Sequence, residues 1–114
     1  MPYMLNGEML EVATEPRVGN GTMYVPLRDV AAALGGNVDW EPSNGIAILY
    51  INDKIVTLKS NDTTVEVDGE KTELQAHPWI DNGEMMVPVR FFETPLGYGL
   101  DADAQNLIVS LTSA

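Results

Sequence analysis

NGTMYVPLR at residues 20–28 returns as NGEMMVPVR at residues 82–90. The two stretches lie 62 positions apart, and the same offset brings Gly7 onto Gly69, Glu11 onto Glu73, Pro16 onto Pro78, Leu34-Gly35 onto Leu96-Gly97 and Asp39 onto Asp101. Residues 5–48 set against 67–110 share 15 identities in 44 ungapped pairs, and many other pairs are apolar for apolar. This is an internal duplication. Its period exceeds the usual solenoid unit, and two copies fall short of the three or more that an open array needs, so the copies are expected to pack on each other.

Within each copy the same order of signals recurs. LNGEML and VDGEKTEL each carry the Asn-Gly or Asp-Gly pair of a tight hairpin turn. A second turn, VGNGT or IDNGE, leads into a short strand, MYV or MMV. A helix follows, with Pro26 or Pro88 in its first turn and Leu34-Gly35 or Leu96-Gly97 at its end. The first helix, PLRDVAAAL, is rich in good helix formers. The second, PVRFFETPL, carries Pro95, which removes a backbone donor and is expected to end or distort it by Thr94. NVDW and GLDAD, then IAILYIN and LIVSLT, read as strands. Residues 49–66 alternate apolar and polar across KIVTLK, so the junction between copies is also strand-forming. The expected fold class is α+β: mostly antiparallel β-sheet with two short helices, built from two tandem copies of a strand-strand-helix-strand-strand unit. The expected organisation is a single domain over residues 1–114, with repeats at 5–52 and 67–112 joined by segment 53–66.

Composition narrows the function classes. Apolar residues make up 45% and charged residues 20% of the 114, ordinary values for a folded chain. The formal charge of −11, from 17 acidic against 6 basic side chains, repels phosphate backbones and anionic lipid headgroups, so no nucleic-acid partner is expected. No apolar run approaches a membrane span, so no direct membrane insertion is expected. The stretch MPYMLNGEML lacks the basic region and apolar stretch of a secretion signal. Without cysteine there are no disulfides, thiolate metal sites or thiol nucleophiles.

Arg28 and Arg90 stand in the first turn of their helices, where the macrodipole disfavours a cation. The valine before each proline also offers no capping oxygen. The junction Pro26, Arg28, Pro88, Arg90 is therefore read as structural, with Asp39 and Asp101 as the expected symmetric acceptors that tie each arginine to the sheet. His77, in AHPWI, has no serine or cysteine partner evident in sequence and is read as structural, so no catalytic residue is assigned. DWEPSNG and DADAQN resemble oxygen-rich calcium loops, yet Tyr50 and Thr112 occupy the twelfth position where a bidentate glutamate belongs, which favours solvated strand turns. No metal and no cofactor are expected. Trp40, Trp79 and Tyr98 are the candidates for a ligand or interface contact, because flat rings stack on ligands and anchor interfaces, although core packing is the favoured reading of all three. Trp79 aligns with the charged Arg17, which points to an exposed position.

The pattern NG, then P.V.NGT.YVPLR, AALGG.VDW, and its second occurrence through NGE.MVPVRF to LG, resembles the copper amine oxidase N-terminal-like domain, or stalk domain, over nearly the whole chain. Members commonly place a glutamate four residues after the arginine, where Ala32 and Thr94 stand here, and Trp40 matches the family's Val-acidic-Trp while Ala102 takes that place in the second copy. The copper enzymes need three histidine ligands and a quinone formed from an Asn-Tyr motif. This chain has one histidine and no Asn-Tyr pair, so no enzyme activity is expected. The resemblance implies a non-enzymatic stalk or spacer of an exported or cell-envelope protein of Gram-positive bacteria. The alternative is a module binding cell-wall glycan or peptide through exposed aromatic residues. The expected location is extracellular or cell-envelope, and the expected partners are a cell-wall component or another domain of the same protein. An open sheet edge also leaves room for a homodimer.

Overall fold

Asn20-Gly21 and Asn82-Gly83 take φ of 52° and 77°, and 51° and 79°, the doubly positive turn that joins two twisted strands without splaying them. Asn6-Gly7 and Asp68-Gly69 turn in the same way. Around these turns the computed structural model, which describes residues 2–113, arranges the chain in order as β1 (Tyr3–Leu5), β2 (Glu8–Met9), β3 (Arg17–Gly19), β4 (Thr22–Pro26), α1 (Leu27–Ala33), β5 (Asn37–Glu41), β6 (Ile46–Ile51), β7 (Lys54–Lys59), β8 (Thr64–Val67), β9 (Glu70–Glu73), β10 (Trp79–Asp81), β11 (Glu84–Pro88), a 3₁₀ turn (Val89–Phe91), β12 (Gly99–Asp103) and β13 (Ile108–Thr112). The result is mostly antiparallel sheet.

Among the described residues three sheets form, with strand orders β10-β11-β4-β3, β5-β6-β7-β8-β9 and β12-β13-β1-β2. The first is the hub. Its central pair, β4 and β11, joins the two nonamers in antiparallel register, with Val25 opposite Val87, Pro26 opposite Met86 and Tyr24 opposite Pro88. Val25 thus faces the residue 62 positions beyond it, so a local two-fold relation passes between these two valines. Both are buried, at 1% and 0% exposure.

The tandem arrangement is modified in space. The first hairpin, β1–β2, does not stay with β5 and β6 but adds to β13, pairing in parallel with Tyr3 opposite Val109 and Leu5 opposite Leu111. The corresponding hairpin of the second half, β8–β9, completes the five-stranded sheet through β7, which lies within segment 53–66. Each half borrows its edge from the other.

One apolar cluster runs between the three sheets, α1 and the 3₁₀ turn. Tyr3, Val25, Leu27, Leu49, Leu58, Phe91, Phe92 and Leu111 are among its fully enclosed members. The burial alternates along β6 and β7, as expected for strands with one face in a core.

The expectation of two short helices is corrected. The first forms as α1, and its end is a Schellman turn: Gly35 takes φ of 90°, the Gly36 N–H bonds the Ala31 carbonyl at 2.7 Å, and the Gly35 N–H bonds that of Ala32 at 3.1 Å. The second is reduced to the single 3₁₀ turn and a run of turns after it. Pro95 cannot donate a backbone hydrogen bond, and its ring crowds the carbonyl of Phe91, so a regular helix has no room to continue. The cap position of α1 is Pro26 itself, in extended conformation with ψ of 121° and no side-chain cap, so the strand pairing of β4 sets where the helix begins.

The arginine-to-aspartate ties are also corrected. Leu27, Val30 and Ala31 form the buried stripe of α1, which turns Arg28 toward solvent. Asp39 lies on the outward face of β5, whose burial alternates strictly. Arg90 is likewise exposed and bonds Glu93, three residues on, at 2.9 Å. Among the described residues neither arginine forms an ion pair with Asp39 or Asp101.

Candidate functional site

Two hollows open on either side of the β4–β11 pair. The smaller, about 190 Å³, lies between Pro26, Arg28, Trp40 and the turn Gly83–Met85. The larger, about 770 Å³, lies between Pro88, Arg90, Ala102 and the turn Gly21–Met23, and extends along Glu73 to Gln75 and Thr94. They are the same place on the two halves: eight of the ten positions lining the smaller recur in the larger at the 62-residue offset. What differs is the filling. Trp40 packs against the core at the first position, whereas the equivalent Ala102 is exposed and leaves its hollow as an open groove.

The rim of the larger groove is acidic. The Glu73 carboxylate accepts hydrogen bonds from the Thr64 and Thr63 hydroxyls, the latter at 2.8 Å. The Thr64 bond chiefly, with that of Thr63, holds the carboxyl below its ordinary range, so Glu73 stays ionised. Arg90, the groove's cation, is engaged by Glu93.

The three aromatic candidates land in three different environments. Trp40 stands half-buried in the wall of the smaller hollow. Trp79 is half-buried as well, not free on the surface: its ring meets Tyr24 edge to face, with centroids 5.6 Å apart. Beside it, Arg17 and Asp81 form an ion pair; Arg17 and Trp79, which occupy equivalent positions of the duplication, lie on the two edge strands of one sheet. Tyr98 is corrected to a core residue, 7% exposed, whose hydroxyl accepts a hydrogen bond from Asn52 Nδ2 at 3.0 Å. The structure therefore does not bring the three rings into one site.

His77 is exposed, its ring Nδ1 lying 3.0 Å from the carbonyl oxygen of Pro78, and its own carbonyl oxygen accepts the Tyr24 hydroxyl at 3.3 Å. The DADAQN turn is closed by its own chain. Asp103 accepts from Asn106 Nδ2 at 2.9 Å and from the backbone N–H groups of Asn106 and Gln105, each at 3.1 Å; the bonds from Asn106, its side chain first, lead in holding that carboxyl below its usual range. In the other turn Asn44 donates to Glu41 at 3.3 Å. Among the described residues no group of three or more histidine, aspartate or glutamate side chains is placed to hold a metal ion, and no helix is long and apolar enough to cross a membrane.

The larger groove escaped sequence reasoning. The Trp40-to-Ala102 difference was visible in the duplication, but only the packed halves show that the missing ring leaves a space.

A comparison with curated proteins finds none that matches the chain. The profile of the copper amine oxidase N-terminal domain matches residues 4–111, nearly the whole length. That domain is a non-catalytic region of the copper amine oxidases. With a match of this extent, the chain belongs to the copper amine oxidase N-terminal domain family.

Proposed function

We propose that this chain is a non-enzymatic stalk or spacer of an exported or cell-envelope protein, holding neighbouring domains apart. The observation that carries this reading is the parallel pairing of β1 with β13. Parallel strands leave in the same direction, so the chain enters beside one end of the pair and departs from the other. Tension applied through both ends then loads the bonds between these strands in shear, all together, instead of opening them one by one. The Asn6 N–H bonds the Leu111 carbonyl at 2.8 Å, the Val109 N–H bonds the Pro2 carbonyl at 2.6 Å, and Asn6 and Ser113 bond through their side chains at 3.1 Å. These contacts lock the seam at both ends.

Single-molecule pulling tests the reading. Tension through residues 2 and 113 is expected to need a clearly higher unfolding force than tension through residues 2 and 61, and the Asn6→Ala variant is expected to lower only the former. Equal forces in the two directions would remove the load-bearing argument.

A second reading has support in the half-exposed rings of Trp40 and Trp79, which could contact a cell-wall glycan or peptide. Co-sedimentation with isolated Gram-positive cell walls separates the two: saturable binding lost in Trp79→Ala favours the ligand reading, and no binding leaves the spacer.

A further inference from the structure

The groove over Ala102 lies where the other half of the molecule places an indole, and its walls are built from the same positions: a Val-Pro strand end, an exposed arginine and an Asn-Gly turn. The frame on the first side accommodates Trp40 against the core. On the second side alanine leaves about 770 Å³ of open groove, against about 190 Å³ beside Trp40. Apolar and polar walls meet there, with Met23, Val89 and Phe91 below and Glu73 and Glu93 at the rim.

Charge selects among aromatic ligands. The whole chain carries −11, the Glu73 carboxylate faces solvent with, among the described residues, only the Thr63 and Thr64 hydroxyls as partners, and Arg90 is matched by Glu93. A peptide entering this rim gains from positive residues and is repelled if acidic. An aromatic side chain seated in a preformed hollow, ringed by charge, is the usual anchor of a peptide interface.

We propose that the Ala102 groove is a docking site for an aromatic side chain on a basic segment of a partner protein, which supplies in trans the ring that Trp40 supplies in the other half. The site is separate from Trp79 and does not depend on the spacer reading.

The test is a titration of the isotopically labelled full chain with acetyl-Lys-Trp-Lys-amide, followed by backbone amide shifts. Saturable shifts centred on Gly21, Thr94, Ala102 and Ala104 are expected. Ala102→Trp fills the groove and is expected to weaken binding at least about tenfold, the scale on which an apolar pocket discriminates, with the melting temperature retained. Shifts centred elsewhere, or no saturable shift, overturn the site. Should Ala102→Trp fail to fold, the location of the wild-type shifts decides alone. Equal affinity for acetyl-Lys-Leu-Lys-amide would overturn the aromatic requirement, and equal affinity for acetyl-Glu-Trp-Glu-amide would overturn the choice of a basic partner.

Discussion

Tyr3 shows how much one polar atom can matter inside a small core. Its ring is fully enclosed, and among the described residues its hydroxyl has no hydrogen-bond partner. Burial, with the nearby charges of Asp29 and Glu15 adding to it, pushes the hydroxyl above the ordinary phenol range, so it stays protonated. A buried donor without a partner carries an uncompensated desolvation cost. Tyr3→Phe is therefore expected to raise stability by about 1 kcal/mol, visible in calorimetry as a melting point higher by a few degrees; a lower melting point would show that the hydroxyl has a partner in solution. At this same scale the matched positions of Arg28 with Asp39 and of Arg90 with Asp101 mislead. Side-chain direction follows the buried stripe of α1 and the pleat of β5, which turn Arg28 and Asp39 outward, while Arg90 is taken by the nearer Glu93.

At the scale of elements, the hairpins and the first helix were legible because their signals are local. Two adjacent residues decide an Asn-Gly turn, and a glycine with φ of 90° after Leu34 ends α1. Gly36 is of a different kind. Its φ needs no glycine, but a Cβ there would sit 3.0 Å from the Tyr50 carbonyl oxygen and 3.1 Å from Ile51 Cβ, where α1 hands over to the sheet. Gly36→Ala is expected to destabilise by about 1–3 kcal/mol through overpacking, measured as a shift of the denaturant midpoint with unchanged slope; an unchanged midpoint would mean that the β5–β6 pair yields at that point. The second helix was legible only in part. Pro95 announced a disruption near Thr94, yet the whole segment collapsed to one 3₁₀ turn, since too few residues remain between Pro88 and Pro95 for a stable α-helix once the last donor is gone.

On the scale of the whole molecule, Val25 and Val87 are the point where the halves meet. They face each other in register and are both buried, so they share one packing environment. Val25→Ala and Val87→Ala are each expected to cost about 2–3 kcal/mol. Because the two side chains are in contact range, the double variant should depart from additivity by about 0.5 kcal/mol or more, read from chemical denaturation of all four proteins. Strict additivity would mean that the two sites relax separately. The duplication itself was plain in the sequence, from 15 identities at one offset, as were the mostly antiparallel strands and the lack of thiol chemistry. These follow from composition and short-range pattern, which neighbouring residues alone determine. Which strand pairs with which did not follow: β1 pairs with β13 from the other end of the chain, and β8–β9 closes the sheet of the first half. Nor did the opening over Ala102. Pairing between distant strands and the filling of a hollow depend on how both halves compete for the same core, and only the assembled tertiary structure decides that.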